Sequence, residues 1–155
     1  MMWVGIDPGI VHTGVVLFVS DDVGGDTMTC VAKVFDGMNV GLIKQLLVNM
    51  NRPHAVYIEA YNPRSHFGTD RRMVEGVAAI HAALPGSKLI NNTGVKKVVT
   101  ADLMKLLGVW DFPGQVTHHQ DLRAAARIGL YGAMKDPVFN ERIYKTAVKI
   151  LDGVP

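Results

Sequence analysis

Apolar residues fall in short dense blocks over the first third of the chain and mainly at helical spacing over the rest. Met2-Trp3-Val4-Gly5-Ile6 is one block, broken at Asp7-Pro8-Gly9, and Thr13-Gly14-Val15-Val16-Leu17-Phe18-Val19 is a second. Residues 21–26 are a turn cluster, and residues 27–35 supply a third block. Blocks of this length between Gly, Pro and Asp clusters predict three strands in an antiparallel meander. The period then changes. Val40, Ile43, Leu46, Leu47 and Met50 lie on one helical face that ends at Asn51-Arg52-Pro53, and residues 55–58 return to a short buried strand ending at Glu59.

The second half reads as mainly helical. Met73, Val74, Val77, Ile80, Ala83 and Leu84 predict a helix over 71–84, stopped by Pro85-Gly86. Lys88-Leu89-Ile90 is a short strand, and Asn91-Asn92-Thr93 reads as the cap of a helix over 95–99. Another helix is expected over 101–107. Thr117-His118-His119-Gln120 matches a capping box opening a helix with Leu122, Ala125, Ala126, Gly129 and Leu130 inward, and Asp136-Pro137 starts a last amphipathic helix. Together these predict an α/β domain, a mixed sheet with helices packed on it, as one unit over residues 1–155. Strand order is not readable from periodicity.

Composition narrows the setting. The 155 residues are 48% hydrophobic and 19% charged, ordinary for a globular domain. The single Cys30 forms no internal disulfide, no Cys/His group has zinc spacing, and no leader or membrane span is legible, so a reducing cytoplasm is expected. The net charge of +2 divides unevenly. Residues 64–105 hold seven basic and three acidic side chains, net +4, leaving −2 for the remainder. That asymmetry suits a polyanion-binding face beside an acidic pocket, and equally a solvated surface.

Acids interrupt the apolar elements in three places. Asp7 and Glu59 each end a strand expected to be buried, and a buried carboxylate needs compensation by a cation or by hydrogen bonds. Asp7 reads as a metal ligand or as the cap of its own Pro8-Gly9 turn, and Glu59 as a ligand or as the partner of a base such as Arg64. His118 and Asp121 are three residues apart on the last-but-one helix, where they would point together. An imidazole and three carboxylates converging would repel unless divalent cations neutralise them. Oxygen ligands favour Mg²⁺, and the added imidazole admits Mn²⁺. Two such ions clamping a phosphodiester perform nuclease chemistry.

Gly5-Ile6-Asp7-Pro8-Gly9 with Thr13-Gly14, Ile58-Glu59, and His118-His119-Gln120-Asp121 leading into an alanine-rich helix occur in this order. In these motifs the chain resembles RuvC-type Holliday junction resolvases of the RNase H-like nuclease superfamily, to about residue 133, and its compactness is closer to phage versions. The resemblance implies an RNase H-like fold, metal ligands at Asp7, Glu59, His118 and Asp121, and a homodimer that cuts four-way DNA junctions symmetrically and accepts other branches such as forks and flaps. It implies a dimer helix at 71–84, and a DNA-contacting segment in which Tyr61 or Phe67 stacks on a base while Arg64, Arg71 and Arg72 hold phosphates. Lys96 and Lys97 would add phosphate contacts at a helix start. Two rival readings are a YqgF-like nuclease acting on RNA and a module that binds branched DNA without cutting it.

Overall fold

The computed structural model describes residues 1–21, 27–62, 68–114 and 117–153. Its elements run β1 (Met2–Asp7), β2 (His12–Ser20), β3 (Met28–Asp36), α1 (Val40–Asn49), β4 (Ala55–Ala60), α2 (Gly68–Ala83), β5 (Lys88–Asn91), α3 (Val95–Val98), α4 (Ala101–Leu106), α5 (His119–Met134) and α6 (Pro137–Leu151). The five strands form one sheet in the order β3-β2-β1-β4-β5. The expected meander is the antiparallel half, and β4 and β5 extend it in parallel from β1.

Alternation along the strands divides the core in two. Trp3, Val16, Phe18 and Tyr57 join the cluster beneath α5, whereas Val4, Ile6, Val15, Leu17 and Ile58 join Ile43, Leu47, Val77 and Ile80 from α1 and α2. Trp3 stacks on Phe18 at 5.3 Å between centroids, and Phe139 of α6 closes against it at 5.2 Å. The α2 helix buries Val77 and Ile80, with Leu84 just beyond its end, and leaves Val74, Ala78, Ala79 and Ala82 exposed.

How closely α5 can lie on the sheet depends on absent side chains. A Cβ on Gly5 would stand 2.0 Å from the Ala125 carbonyl oxygen and 2.5 Å from the Gly129 nitrogen; one on Gly14 would stand 2.5 Å from the Asp121 carbonyl oxygen. Only hydrogen at those Cα atoms lets the helix backbone rest on β1 and β2. The inward face of α5 is correspondingly rich in Ala and Gly, with Ala125, Ala126, Gly129, Gly132 and Ala133 all buried.

Several local expectations change. The α5 helix begins at His119 with His118 in the cap position and makes no side-chain cap hydrogen bond, so Thr117 is not the cap of a capping box. The short α3 is preceded by Gly94 in the left-handed conformation, again without a side-chain cap. The asparagines before it are used differently: Asn91 Oδ1 accepts from the Thr93 backbone N–H at 2.9 Å, while Asn92 donates to Glu59. The β4 strand does not stop at Glu59 but continues to Ala60, because Glu59 pairs with Ile90 and Ala60 with Asn91 of β5. Side-chain caps form instead at Asn39 on α1 and Thr100 on α4, and Asp136 caps α6 at the expected Asp136-Pro137 start.

Candidate active site

Side-chain parity and register bring the first two acids together. Gly5 is paired with Tyr57 and Ile6 with Ile58 in the parallel β1/β4 ladder, so Asp7 and Glu59 occupy its next step. Both fall on the face that carries Trp3, Gly5 and Tyr57, the face covered by α5. Asp7 is also paired with Gly14 on β2, where the Asp121 backbone crosses closest to the sheet. The turn after Asp7 is closed by Thr13: its Oγ1 accepts from the Gly9 N–H at 3.3 Å and donates to the Gly9 carbonyl at 3.4 Å.

Asp7, Glu59 and Asp121 line one cavity of about 500 Å³ with Asn92, Lys96, Trp110, Gln120, Arg123 and Arg127. The carboxyl of Asp7 is pushed up from 3.8 to about 9, first by burial, then by its hydrogen bond and repulsion with Glu59, and last by the charge of Asp121. No cationic side chain makes an ion pair with Asp7 among the described residues. In this state Asp7 holds a proton and donates it to Glu59, which also accepts from the Asn92 amide. Among the described residues no three His, Cys, Asp or Glu side chains already close around a point as a cation cage.

His118 is near this group but not in the cavity wall. Its Nδ1 lies 3.7 Å from Asp121 Oδ2, and its ring meets that of His12 edge-on at 4.4 Å. His12 in turn lies 3.5 Å from Asp36. Sequence spacing therefore paired His118 with Asp121 correctly.

The basic and aromatic candidates distribute less evenly. Lys96 lines the acidic cavity; Lys97 and Tyr61 line an adjoining one of about 610 Å³ that shares Glu59, Asn92 and Lys96 with it. Arg71 is committed to Glu75 at 2.8 Å, and Arg72 is exposed on α2. Arg64 and Phe67 lie outside the described residues. Asn92, Trp110, Gln120, Arg123 and Arg127 were not singled out by the sequence reading. Gln120, Arg123 and Arg127 do form a legible polar stripe at helical spacing in an otherwise alanine-rich helix; Asn92 and Trp110 reach the cavity from loops and carry no such signal.

Asn92 lines the cavity beside Glu59 and, by donating to it, orients that carboxylate.

Comparison with solved structures fixes the architecture. Thermus thermophilus RuvC in complex with Holliday junction substrate aligns over 94% of this chain and 97% of its own, at 20% identity and a TM-score of 0.63. The fold is RNase H-like, in the RuvC arrangement. A second Thermus thermophilus RuvC structure matches at 20% identity over 87% of this chain and 97% of its own, with a TM-score of 0.55. Fowlpox virus resolvase, solved with substrate Holliday junction DNA, matches at 15% identity over 85% and 96%, with a TM-score of 0.51. No protein-family model and no curated protein matches the sequence itself. Among the described residues no helix of this RNase H-like domain is long and apolar enough to cross a membrane.

Proposed function

We propose that the protein is a structure-selective DNA endonuclease that resolves Holliday junctions, and cuts other branched DNA, by divalent-metal-dependent phosphodiester hydrolysis. The observation that carries this reading is the meeting of Asp7, Glu59 and Asp121 from three separate elements in one cavity, where burial and the two neighbouring carboxylates push the Asp7 carboxyl up. A pure binding module gains nothing from carboxylates set against phosphate. The shared RNase H-like fold adds support, since the solved resolvases with that fold include ones holding junction DNA.

The donor set fits hard divalent cations. Asp7, Glu59 and Asp121 supply oxygens that would hold Mg²⁺, and His118 beside Asp121 makes Mn²⁺ an effective substitute. When bound, a pair of such ions supplies an activated water and neutralises the departing oxygen of an in-line displacement. The chain's own residues do the rest. Asp7 would have to lose its proton to serve as a ligand, Asn92 keeps Glu59 oriented, and Lys96 holds positive charge at the cavity wall. Lys97 and Tyr61 extend the contact surface along the adjoining cavity. The exposed Val74 and alanines of α2 are where a second copy would dock, matching a two-fold substrate with a two-fold enzyme.

Incubating the protein with a labelled four-way junction, a fork, a linear duplex and an RNA hairpin, in Mg²⁺, Mn²⁺ or EDTA, tests this. The expected result is nicking of the branched DNA that requires the divalent ion. Cutting that persists in EDTA would remove the mechanism, and preference for the hairpin would establish an RNA-processing role instead.

A further inference from the structure

The acidic cavity has a cationic side built around one indole. Arg123 stacks on Trp110 with its guanidinium carbon 4.0 Å from the ring centroid, while Lys105 Nζ lies at 5.2 Å and the Arg127 guanidinium at 5.8 Å. The ring is thus occupied by cations rather than left open for a nucleobase. Arg123 is also spent on the loop it anchors: its Nε donates to the Trp110 carbonyl at 2.7 Å and its Nη2 to Asp111 Oδ1 at 3.1 Å.

Arg127 differs. Its Nε donates to the Val99 carbonyl at 3.3 Å, which fixes the guanidinium plane, and it makes no ion pair with a carboxylate among the described residues. It lines the cavity with a second guanidinium, that of Arg123, as its like-charged neighbour. A half-buried guanidinium with a cationic neighbour and no carboxylate in ion-pair contact among the described residues is short of an anion, and its planar fork matches two phosphate oxygens.

We infer that Arg127 is a phosphate-binding residue, aimed by Val99 and by the Trp110–Arg123 stack to hold the phosphate adjoining the one that is cut. This rests on the nuclease reading and deepens it. The carboxylates would hold the metal that engages the reacting phosphodiester, and Arg127 fixes the register of the strand passing them. Arg123 and Trp110 act on the phosphate only through Arg127.

Junction affinity measured at several KCl concentrations tests the assignment, with Asp7→Asn present throughout to prevent cutting. Arg127→Gln is expected to weaken binding about tenfold at low salt. It should also lower the slope of log affinity against log salt by roughly one, the signature of one lost phosphate contact. Arg127→Met, which keeps the aliphatic stem packed, should do the same, and Arg127→Lys should preserve the slope. In an otherwise wild-type background, Arg127→Lys should cut several-fold more slowly at saturating junction, because an ammonium lacks the two-pronged grip. A neutral variant that lowers the thermal midpoint yet keeps the wild-type affinity and slope would overturn the assignment, leaving Arg127 a mere tie between α5 and Val99. That failure is separate from failure of the nuclease reading, which shows as absence of cutting by the unmodified protein.

Discussion

Asp7→Asn is expected to abolish cleavage and to stabilise the metal-free protein. Under the proposed metal-dependent mechanism, losing this oxygen should lower the rate by about 1,000-fold or more, equivalent to about 4 kcal/mol of barrier. The stability effect has the opposite sign because of the company Asp7 keeps. Its carboxyl is raised from 3.8 to about 9, by burial first and by Glu59 and Asp121 after it. Neutral Asp7 therefore contributes its full stability below pH 3.8, and that contribution is lost as pH rises from there toward about 9. Asparagine is neutral throughout and can still donate to Glu59, so at pH 7 the metal-free variant should be more stable by about 2 kcal/mol.

Thermal unfolding in EDTA at pH 4, 7 and 9 checks this. The gap between variant and wild type should widen with pH, and saturating Mg²⁺ should narrow it by stabilising the wild type. A variant less stable than wild type at pH 7 in EDTA would contradict the picture of an uncompensated carboxylate cluster.

Gly5→Ala carries the largest structural effect. The added methyl would fall 2.0 Å from the Ala125 carbonyl oxygen and 2.8 Å from the Gly129 Cα, and both obstacles are backbone. No rotamer change relieves such a contact, so α5 must lift from β1. Overpacking against a rigid helix is expected to cost about 4 kcal/mol, lowering the unfolding midpoint by about 10 °C in a domain of this size. The lift also carries Asp121 away from Asp7, so cleavage should fall further than the unfolded fraction explains. Denaturant unfolding and the cutting rate at a temperature where the variant stays folded separate the two effects. An unchanged midpoint would mean that α5 does not rest on the sheet as described.

Much of this was legible in the chain because local patterning and tertiary need agree. The three-stranded meander, β4, α1 and α6 follow from apolar blocks, helical spacing and the Asp136-Pro137 signal, since each buries a face the pattern already marks. Asp7 and Glu59 are legible as acids where apolar strands stop, and Asp121 as the acid three residues after His118 at the start of an alanine-rich helix. The caps of α3 and α5 were misread because Asn91, Asn92 and Thr117 carry cap chemistry that the fold either spends elsewhere, on Thr93 and Glu59, or leaves unused at the start of α5. Glu59 was placed one residue too near the strand end because pairing with β5 prolongs β4, and a lone strand carries no mark of its neighbour.

Sequence by itself determined which residues could bear the chemistry and on which face of each strand they fall, because side-chain alternation is a property of the backbone. Tertiary structure alone decided that the acids meet. The parallel register of β1 with β4 sets Asp7 beside Glu59, and the bare Cα atoms of Gly5 and Gly14 let α5 descend far enough to deliver Asp121. It alone also faced Arg127 into the same cavity. Distances between segments more than fifty residues apart are set by strand order and helix packing, and neither leaves a periodic trace in the chain.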